Sequence, residues 1–361
     1  MNILERDVLD IEDIDFVINP DRTPGNAWFS LPPDDEGKIR CLVCAHRCLI
    51  SEGKAGICGI RKNEDKVLKL YGYGKSATRA IDPIEKKPLA HFHPGQGILS
   101  LSCYGCNFGC TFCQNYTLSM AIKEGVDVEE LEDNMQDMPP DMVVRLCKMK
   151  NVRFIAGTYN EPTISFEYYY DVARLAKEQG IEFVFVTNGY MTREALIYMA
   201  PYIAAMNIDL KAFSEEFYRK ICKARLSPVL STIQLAHLLG IHVEVTTLVI
   251  PGENDDDIEG ICDFVASVSN DLVLHLSAFH PDYRMTNRGR TTPKLLRDCK
   301  TIAVEKGLRF VYLGNTKSDD SIYCPECSTV VIEKRGYVVT RVNVESDGLC
   351  PTCKCRIYGR F

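Results

Sequence analysis

Ser102-Cys103-Tyr104-Gly105-Cys106-Asn107-Phe108-Gly109-Cys110-Thr111-Phe112-Cys113-Gln114-Asn115 follows the short apolar run Ile98–Ser102 and decides how the rest of the chain is read. Its core is C-x3-C-x2-C: Cys106, Cys110 and Cys113. Positions i, i+4 and i+7 would share one face of a helix, where small thiols pack well. Gly105, Asn107 and Gly109 argue against a continuous helix and for a loop. Three closely spaced thiolates can hold a cubane [4Fe–4S] cluster by three of its irons instead of the usual four, leaving the fourth iron open to a further ligand.

Between about residues 98 and 318 the chain alternates β-rich and helical runs. Candidate strands are Ile98–Ser102, Val152–Gly157, Glu182–Val186, Met206–Leu210, His242–Val249, Leu272–Ala278 and Arg309–Leu313. Most are continuously apolar, as buried parallel strands are. Ile164, Tyr168, Val172 and Leu175 recur near the helical period, as do Val229, Ile233, Ala236 and Leu239. Strand and helix in alternation predict parallel strands joined by crossover helices, an open or closed α/β barrel. The segments that follow the strands are polar: Thr158-Tyr159-Asn160-Glu161-Pro162, Thr187-Asn188-Gly189-Tyr190, Asp209 with Lys211, Pro251–Asp255, and His280-Pro281-Asp282-Tyr283. In a βα barrel such loops open on one face, which carries the active site. Any βα loop needs polar turn residues, but five with carboxylates, amides and a lysine on one face favour a site.

The likeness extends beyond three cysteines. Asp82-Pro83-Ile84-Glu85-Lys86-Lys87-Pro88-Leu89 with His91-Phe92-His93-Pro94-Gly95 resembles the approach to the cluster strand in relatives of pyruvate formate-lyase activating enzyme. Residues 105–115, 158–162, 186–190, 209–213 and 246–255 are similar to one branch of the radical S-adenosylmethionine (SAM) enzymes, the AmmeMemoRadiSam-system family, with the similarity running from about residue 41 to the end. The resemblance implies a partial (β/α)6-type barrel in which Cys106, Cys110 and Cys113 ligate the cluster and SAM chelates the fourth iron. Tyr159, Asn160 and Glu161 stand where the wider superfamily has a Gly-Gly-Glu-Pro-type turn that receives the SAM amino group, although the paired glycines are missing. Thr187 and Asn188 would meet the ribose, and Asp209 with Lys211 the SAM carboxylate or the substrate. Lys211 also reads as half of a structural ion pair with Asp209. No conventional acid–base pair is needed, because the cofactor carries the hard chemistry.

The chain has 17 cysteines in 361 residues. The number is odd, and the amino-terminal residues Met1–Asp7 lack the layout of a secretory signal. No run of about 18 apolar residues would span a bilayer. A reducing cytoplasm is expected, where clustered cysteines mean metal or redox chemistry. Cys324-x2-Cys327 and Cys350-x2-Cys353 around the β-like stretch 329–343 predict a zinc ribbon or a rubredoxin-like iron site, with Cys355 a spare thiol. Cys41, Cys44, Cys48 and Cys58 in a glycine-interrupted loop predict a second metal centre, either zinc or an iron–sulfur cluster. His46 reads as a surface residue beside it. His91 and His93 are weak site candidates that should share one face, and His280 is another. Cys147, Cys222, Cys262 and Cys299 read as core thiols.

The expected organisation is an irregular wrapping segment with a four-cysteine module over residues 1–97, a radical SAM barrel over 98–318 and a zinc-ribbon-like module over 319–361. The expected activity is reductive cleavage of SAM to a 5′-deoxyadenosyl radical that abstracts hydrogen. By resemblance this would activate a partner protein, with a ferredoxin or flavodoxin as electron donor and a Memo-like protein as a further partner. Hydrogen abstraction from a small metabolite or peptide is the alternative within enzymes. A zinc-binding scaffold or nucleic-acid module is the alternative of another class. With 49 acidic against 42 basic side chains and a net charge of −7, nucleic acid is disfavoured.

Overall fold

The computed structural model describes residues 19–316 and 321–361. The expected wrapping segment is therefore seen from residue 19 on, and both the first seven residues and the 318/319 boundary lie outside the described residues. Seven parallel strands follow one another in chain order across one sheet: β2 (Gly97–Ser102), β3 (Phe154–Gly157), β4 (Glu182–Thr187), β5 (Ile203–Asp209), β6 (His242–Val249), β7 (Val273–Ala278) and β8 (Val311–Gly314). A preceding strand, β1 (Thr78–Pro83), pairs antiparallel with β2 along the outer edge. The sheet does not close, since β1 and β8 remain its two edges. Six crossovers carry helices α1 (Pro140–Met149), α2 (Phe166–Glu178), α3 (Arg193–Met199), α4 (Ser227–Leu238), α5 (Ile258–Val268) and α6 (Pro293–Glu305), which makes this a partial (β/α)6-type barrel.

Local chemistry accounts for the boundaries. Thr192 and Thr292 cap α3 and α6 through their hydroxyls, and Pro293 opens α6 at a position that needs no N–H. On α2, Phe166, Tyr169, Val172, Ala173 and Ala176 are buried at helical spacing against the sheet. On α4, Val229, Ile233 and Ala236 are buried as expected, but Leu239 lies past the last turn and is 41% exposed. No helix among the described residues is long and apolar enough to cross a membrane.

Two smaller units pack onto this frame. Residues 39–70 form two short antiparallel pairs, Ile39–Arg40 with Leu49–Ile50 and Arg61–Glu64 with Val67–Leu70. They are tied to α2 by the fully buried ion pair of Arg61 with Glu167. At the carboxyl end, Ile322–Tyr323, Val330–Arg335 and Val338–Val342 make a three-stranded antiparallel sheet. Its Ile322, Val331 and Ile332 share a core with Val273 and Phe310 of the barrel.

The end of the barrel away from the polar loops is closed by a buried carboxylate. Glu244 of β6 accepts from the backbone N–H groups of Ala90 (2.9 Å) and His91 (2.8 Å) and from the imidazoles of His242 (3.0 Å) and His275 (2.6 Å). His91 is completely buried; its Nδ1 lies 2.5 Å from the carbonyl of Tyr358 and its Nε2 2.7 Å from the Tyr312 hydroxyl. One ring nitrogen therefore donates and the other accepts, which suits a neutral imidazole. The expectation that His91 and His93 share an accessible face is thus corrected: both sit at this closed end, with His93 3.3 Å from Glu182.

Burial lowers His91 to about 4, with Glu244 opposing the shift. A histidine depressed on folding leaves the protein's stability intact above its unfolded value near 6.5 and erodes it as the pH falls toward the folded value, because the unfolded chain binds the proton first. From pH 7 to pH 5 this group alone costs about 2 kcal/mol. Anaerobic urea unfolding at the two pH values should show that loss in the parent protein and a loss smaller by about that amount in His91→Gln.

Candidate functional site

The polar loops converge as expected at the carboxyl ends of the strands, around a cavity of about 240 Å³. Every parallel strand contributes to it. Cys106, Cys110 and Cys113 enter from the loop after β2, Tyr159, Asn160 and Glu161 from that after β3, and Asn188 from that after β4. Asp209 and Lys211 follow from β5, Thr246 and Leu248 from β6, Ser277 from β7 and Asn315 from beyond β8. Thr187 is not among the lining residues, and neither is His280, which lies 3.0 Å from Gln114.

The cysteine loop is held open by side chains of the neighbouring loops. Asn160 donates from Nδ2 to the Gly105 carbonyl (2.8 Å) and to Cys103 Sγ (3.0 Å), while its Oδ1 accepts from the Cys103 N–H (3.3 Å). Ser165 donates to the same Cys103 sulfur. Cys103 is therefore an anchor of the loop, distinct from the three thiols on the cavity wall. Gly105 adopts φ +84°, and a Cβ there would meet the Cys58 carbonyl at 2.4 Å, so only glycine fits. Gly109 N–H and Thr111 N–H donate to the carbonyls of Cys222 and Ile221, which back the loop from the far side. Cys222 is a buried core thiol, as its sequence context predicts; its backbone also props the loop, and its thiol lies against Cys110.

Glu161 is buried and accepts three hydrogen bonds, from Thr163 N–H (3.0 Å), Thr187 Oγ1 (2.7 Å) and Asn188 N–H (2.7 Å). Burial raises its carboxyl above the usual range against these donors. Asn188 in turn donates from Nδ2 to Asn107 Oδ1 (2.7 Å), back in the cysteine loop. Tyr159 has a left-handed φ of +71°, which lets its carbonyl accept from Asn115 (2.7 Å) while its hydroxyl donates to Asp82 (2.6 Å). Lys211 pairs with Asp209 at 3.0 Å on the cavity wall. Burial alone would lower the ammonium, but Asp209 and the thiols Cys110 and Cys222 carry it well above its ordinary value. Asn107, Asn115 and Asp82 lie inside the quoted motifs, yet nothing in their spacing had marked them as the groups that tie the loops together.

The loop suits a cluster on two grounds. Asn107 Nδ2 is buried without a hydrogen-bond partner beside Cys106, whose sulfur already accepts from the Phe108 N–H at 3.3 Å; a further buried donor there fits inorganic sulfide or thiolate. The three thiols also share one cavity wall without approaching as a single ion would require. Burial pushes Cys113 up and, with the Glu161 carboxylate, Cys106 well up; contact with Cys222 and then burial do the same for Cys110. These protons must leave when a metal binds.

The carboxyl-terminal cysteines are spaced differently. Cys324 and Cys353 lie 3.5 Å apart and Cys327 and Cys350 3.6 Å apart, and all four sulfurs fall within 4.8 Å of one another. Tetrahedral thiolates about 2.3 Å from one ion stand ~3.8 Å apart, so this set is shaped for a single metal ion. Hydrogen bonding to Thr329 draws Cys327 down to about 6. Cys355 stands outside the set, accepting from Arg309 at 3.3 Å. Cys41, Cys44, Cys48 and Cys58 line a separate small cavity with His46, which is not a plain surface residue: it is half-buried, 2.8 Å from the Asn107 carbonyl.

The family model described as the radical SAM superfamily matches residues 101–265. Over 330 residues, 90% of this chain and 95% of the other, the sequence is 41% identical to the uncharacterized protein MJ0808 of Methanocaldococcus jannaschii. It is 29% identical over 199 residues, 52% of this chain and 75% of the other, to MJ1227 of the same organism, named as a candidate glycyl-radical enzyme activating enzyme. A domain of pyruvate-formate lyase-activating enzyme from Bacteroides vulgatus shares 18% identity at a TM-score of 0.40, covering 44% of this chain and 98% of that one. With three thiols on the mouth of a partial barrel and a match spanning the loops that build it, the chain belongs to the radical SAM superfamily, enzymes that use a [4Fe–4S] cluster to cleave SAM reductively.

Proposed function

We propose that Cys106, Cys110 and Cys113 ligate the cluster and that the amino and carboxylate groups of SAM take its open iron. The single observation that carries this reading is that all three thiols and all seven parallel strands meet at one cavity. When bound, the cluster supplies one electron that splits SAM into methionine and a 5′-deoxyadenosyl radical able to abstract hydrogen. The chain's own residues position and shield. Lys211, kept cationic by Asp209, suits the SAM carboxylate or a substrate anion. Asn188 faces the cavity where ribose hydroxyls would lie. Glu161, which accepts from Thr187 and from the Asn188 N–H, acts with Thr187 as a support for that turn, and Tyr159 and Asn160 serve through the loop geometry they fix.

The cleavage is directed in this reading to a partner protein, as in glycyl-radical activation; the likeness to MJ1227 supports it. The motifs at 105–115, 158–162, 186–190, 209–213 and 246–255 support placement in the AmmeMemoRadiSam-system branch, with a Memo-like partner and a ferredoxin or flavodoxin as one-electron donor in the cytoplasm. Residues 1–97, 98–318 and 319–361 are the corresponding modules. The carboxyl-terminal set holds zinc in this account, because four thiolates close a tetrahedral structural site. The amino-terminal set holds a second metal centre.

Two measurements test this reading. Anaerobically reconstituted protein should be brown and release 5′-deoxyadenosine with SAM and a strong reductant. The variant C106A/C110A/C113A should release none while retaining its carboxyl-terminal zinc; a parent protein that stays colourless and holds only zinc would exclude the activity. Lys211→Ala should raise the Kd for SAM roughly 10- to 100-fold in equilibrium dialysis, the cost of one charged hydrogen bond. An unchanged Kd would remove Lys211 from the SAM site and leave it to a substrate anion or to its ion pair with Asp209.

A further inference from the structure

Cys41, Cys44, Cys48 and Cys58 stand outside the cavity at the barrel mouth and line a small apolar cavity of their own, bounded by Ile50, Ile164 and Arg61. Three of these thiols are buried and Cys48 is half-buried. What such a set can hold depends on its spacing. One ion at about 2.3 Å from each sulfur draws four sulfurs to ~3.8 Å of one another, as at the carboxyl-terminal set. That set is the only one, among the described residues, in which three or more metal-binding side chains bring their donor atoms within 4.8 Å. The amino-terminal four share a cavity without that spacing, and so do Cys106, Cys110 and Cys113. The thiolates of a cubane radiate from separate irons and stand further apart around a central space.

A buried cation stands beside the set, as any buried centre of four thiolates requires. Arg61 is 1% exposed, with Nη1 3.7 Å from Cys41 Sγ, and it is fixed by Nε donating to the Ile164 carbonyl (2.8 Å) and by its ion pair with Glu167. The site also backs directly on the first cysteine loop. The Cys58 carbonyl occupies the place a Gly105 side chain would take, and His46 reaches the Asn107 carbonyl; these two residues flank Cys106.

We propose that Cys41, Cys44, Cys48 and Cys58 hold a second [4Fe–4S] cluster, ligated at all four irons and packed behind the first across Gly105. The inference deepens, and rests on, the reading of this module as a metal centre. With no open iron, this centre can carry an electron but cannot chelate SAM.

The test is a metal count on the full chain after anaerobic purification and reconstitution with iron and sulfide. The parent protein should hold about eight irons, eight sulfides and one zinc, and C106A/C110A/C113A about four irons, four sulfides and one zinc, with the Mössbauer signature of a [4Fe–4S] cluster. C41A/C44A/C48A/C58A should keep the other four irons. A folded C106A/C110A/C113A protein with two zincs and no iron, or with the carboxyl-terminal zinc alone, overturns the proposal. If circular dichroism shows that this variant does not fold, the other counts decide: about eight irons in the parent supports the second cluster, and about four irons retained by both the parent and C41A/C44A/C48A/C58A overturns it. A parent lacking only the irons that depend on Cys106, Cys110 and Cys113 would instead count against the radical site, so the two readings fail separately.

Discussion

Asn160 and Glu161 are neighbours in one turn, and their side chains reach in opposite directions. Asn160 grips the loop after β2 through Cys103 and Gly105, while Glu161 grips the loop after β4 through Thr187 and Asn188. Asn188 then reaches back to Asn107 and closes the circuit. Three βα loops are thereby locked into one largely buried ring of hydrogen bonds, where each broken bond is costly. A glycine-containing loop with three thiols has no regular structure to fix it. This ring is what fixes it, and the cavity wall exists because the ring holds.

The molecule uses buried polar groups differently at its two ends. At the closed end, Glu244 is satisfied by two backbone N–H groups and two histidines. At the open end, Asp209 and Lys211 face the cavity as a pair, and Asn107, next to Cys106 in the cysteine loop, keeps a buried N–H without a partner. A fully satisfied network builds structure, whereas one left incomplete around a cavity is prepared for a ligand. The same contrast separates the cysteine sets. Sulfurs at 3.5 and 3.6 Å surround a point, and sulfurs spread around a cavity surround a volume.

Much of this was legible in the sequence, for physical reasons. Parallel strands buried on both faces must be continuously apolar, so β2 to β8 stand out, and the loops at their carboxyl ends could be assigned to one face before any geometry was known. Thiol spacing marked the metal sets because metal ligation constrains sequence separation. What spacing could not convey was partnership across the chain. Asn107 with Asn188 and Arg61 with Glu167 are more than 80 residues apart, and nothing local distinguishes them from surface polar residues. His91 misled for the same reason: an extended His-x-His reads alike whether it faces a site or, as here, fills the floor of a barrel.

The central claim is that the three-thiol loop holds a cluster with one iron free for SAM. Electron paramagnetic resonance of the reduced C41A/C44A/C48A/C58A protein, recorded with and without SAM, tests it without interference from other clusters. The account predicts that SAM changes the spectrum of the reduced cluster, because its amino and carboxylate groups become ligands. A well-formed cluster signal that SAM leaves unaltered would contradict it.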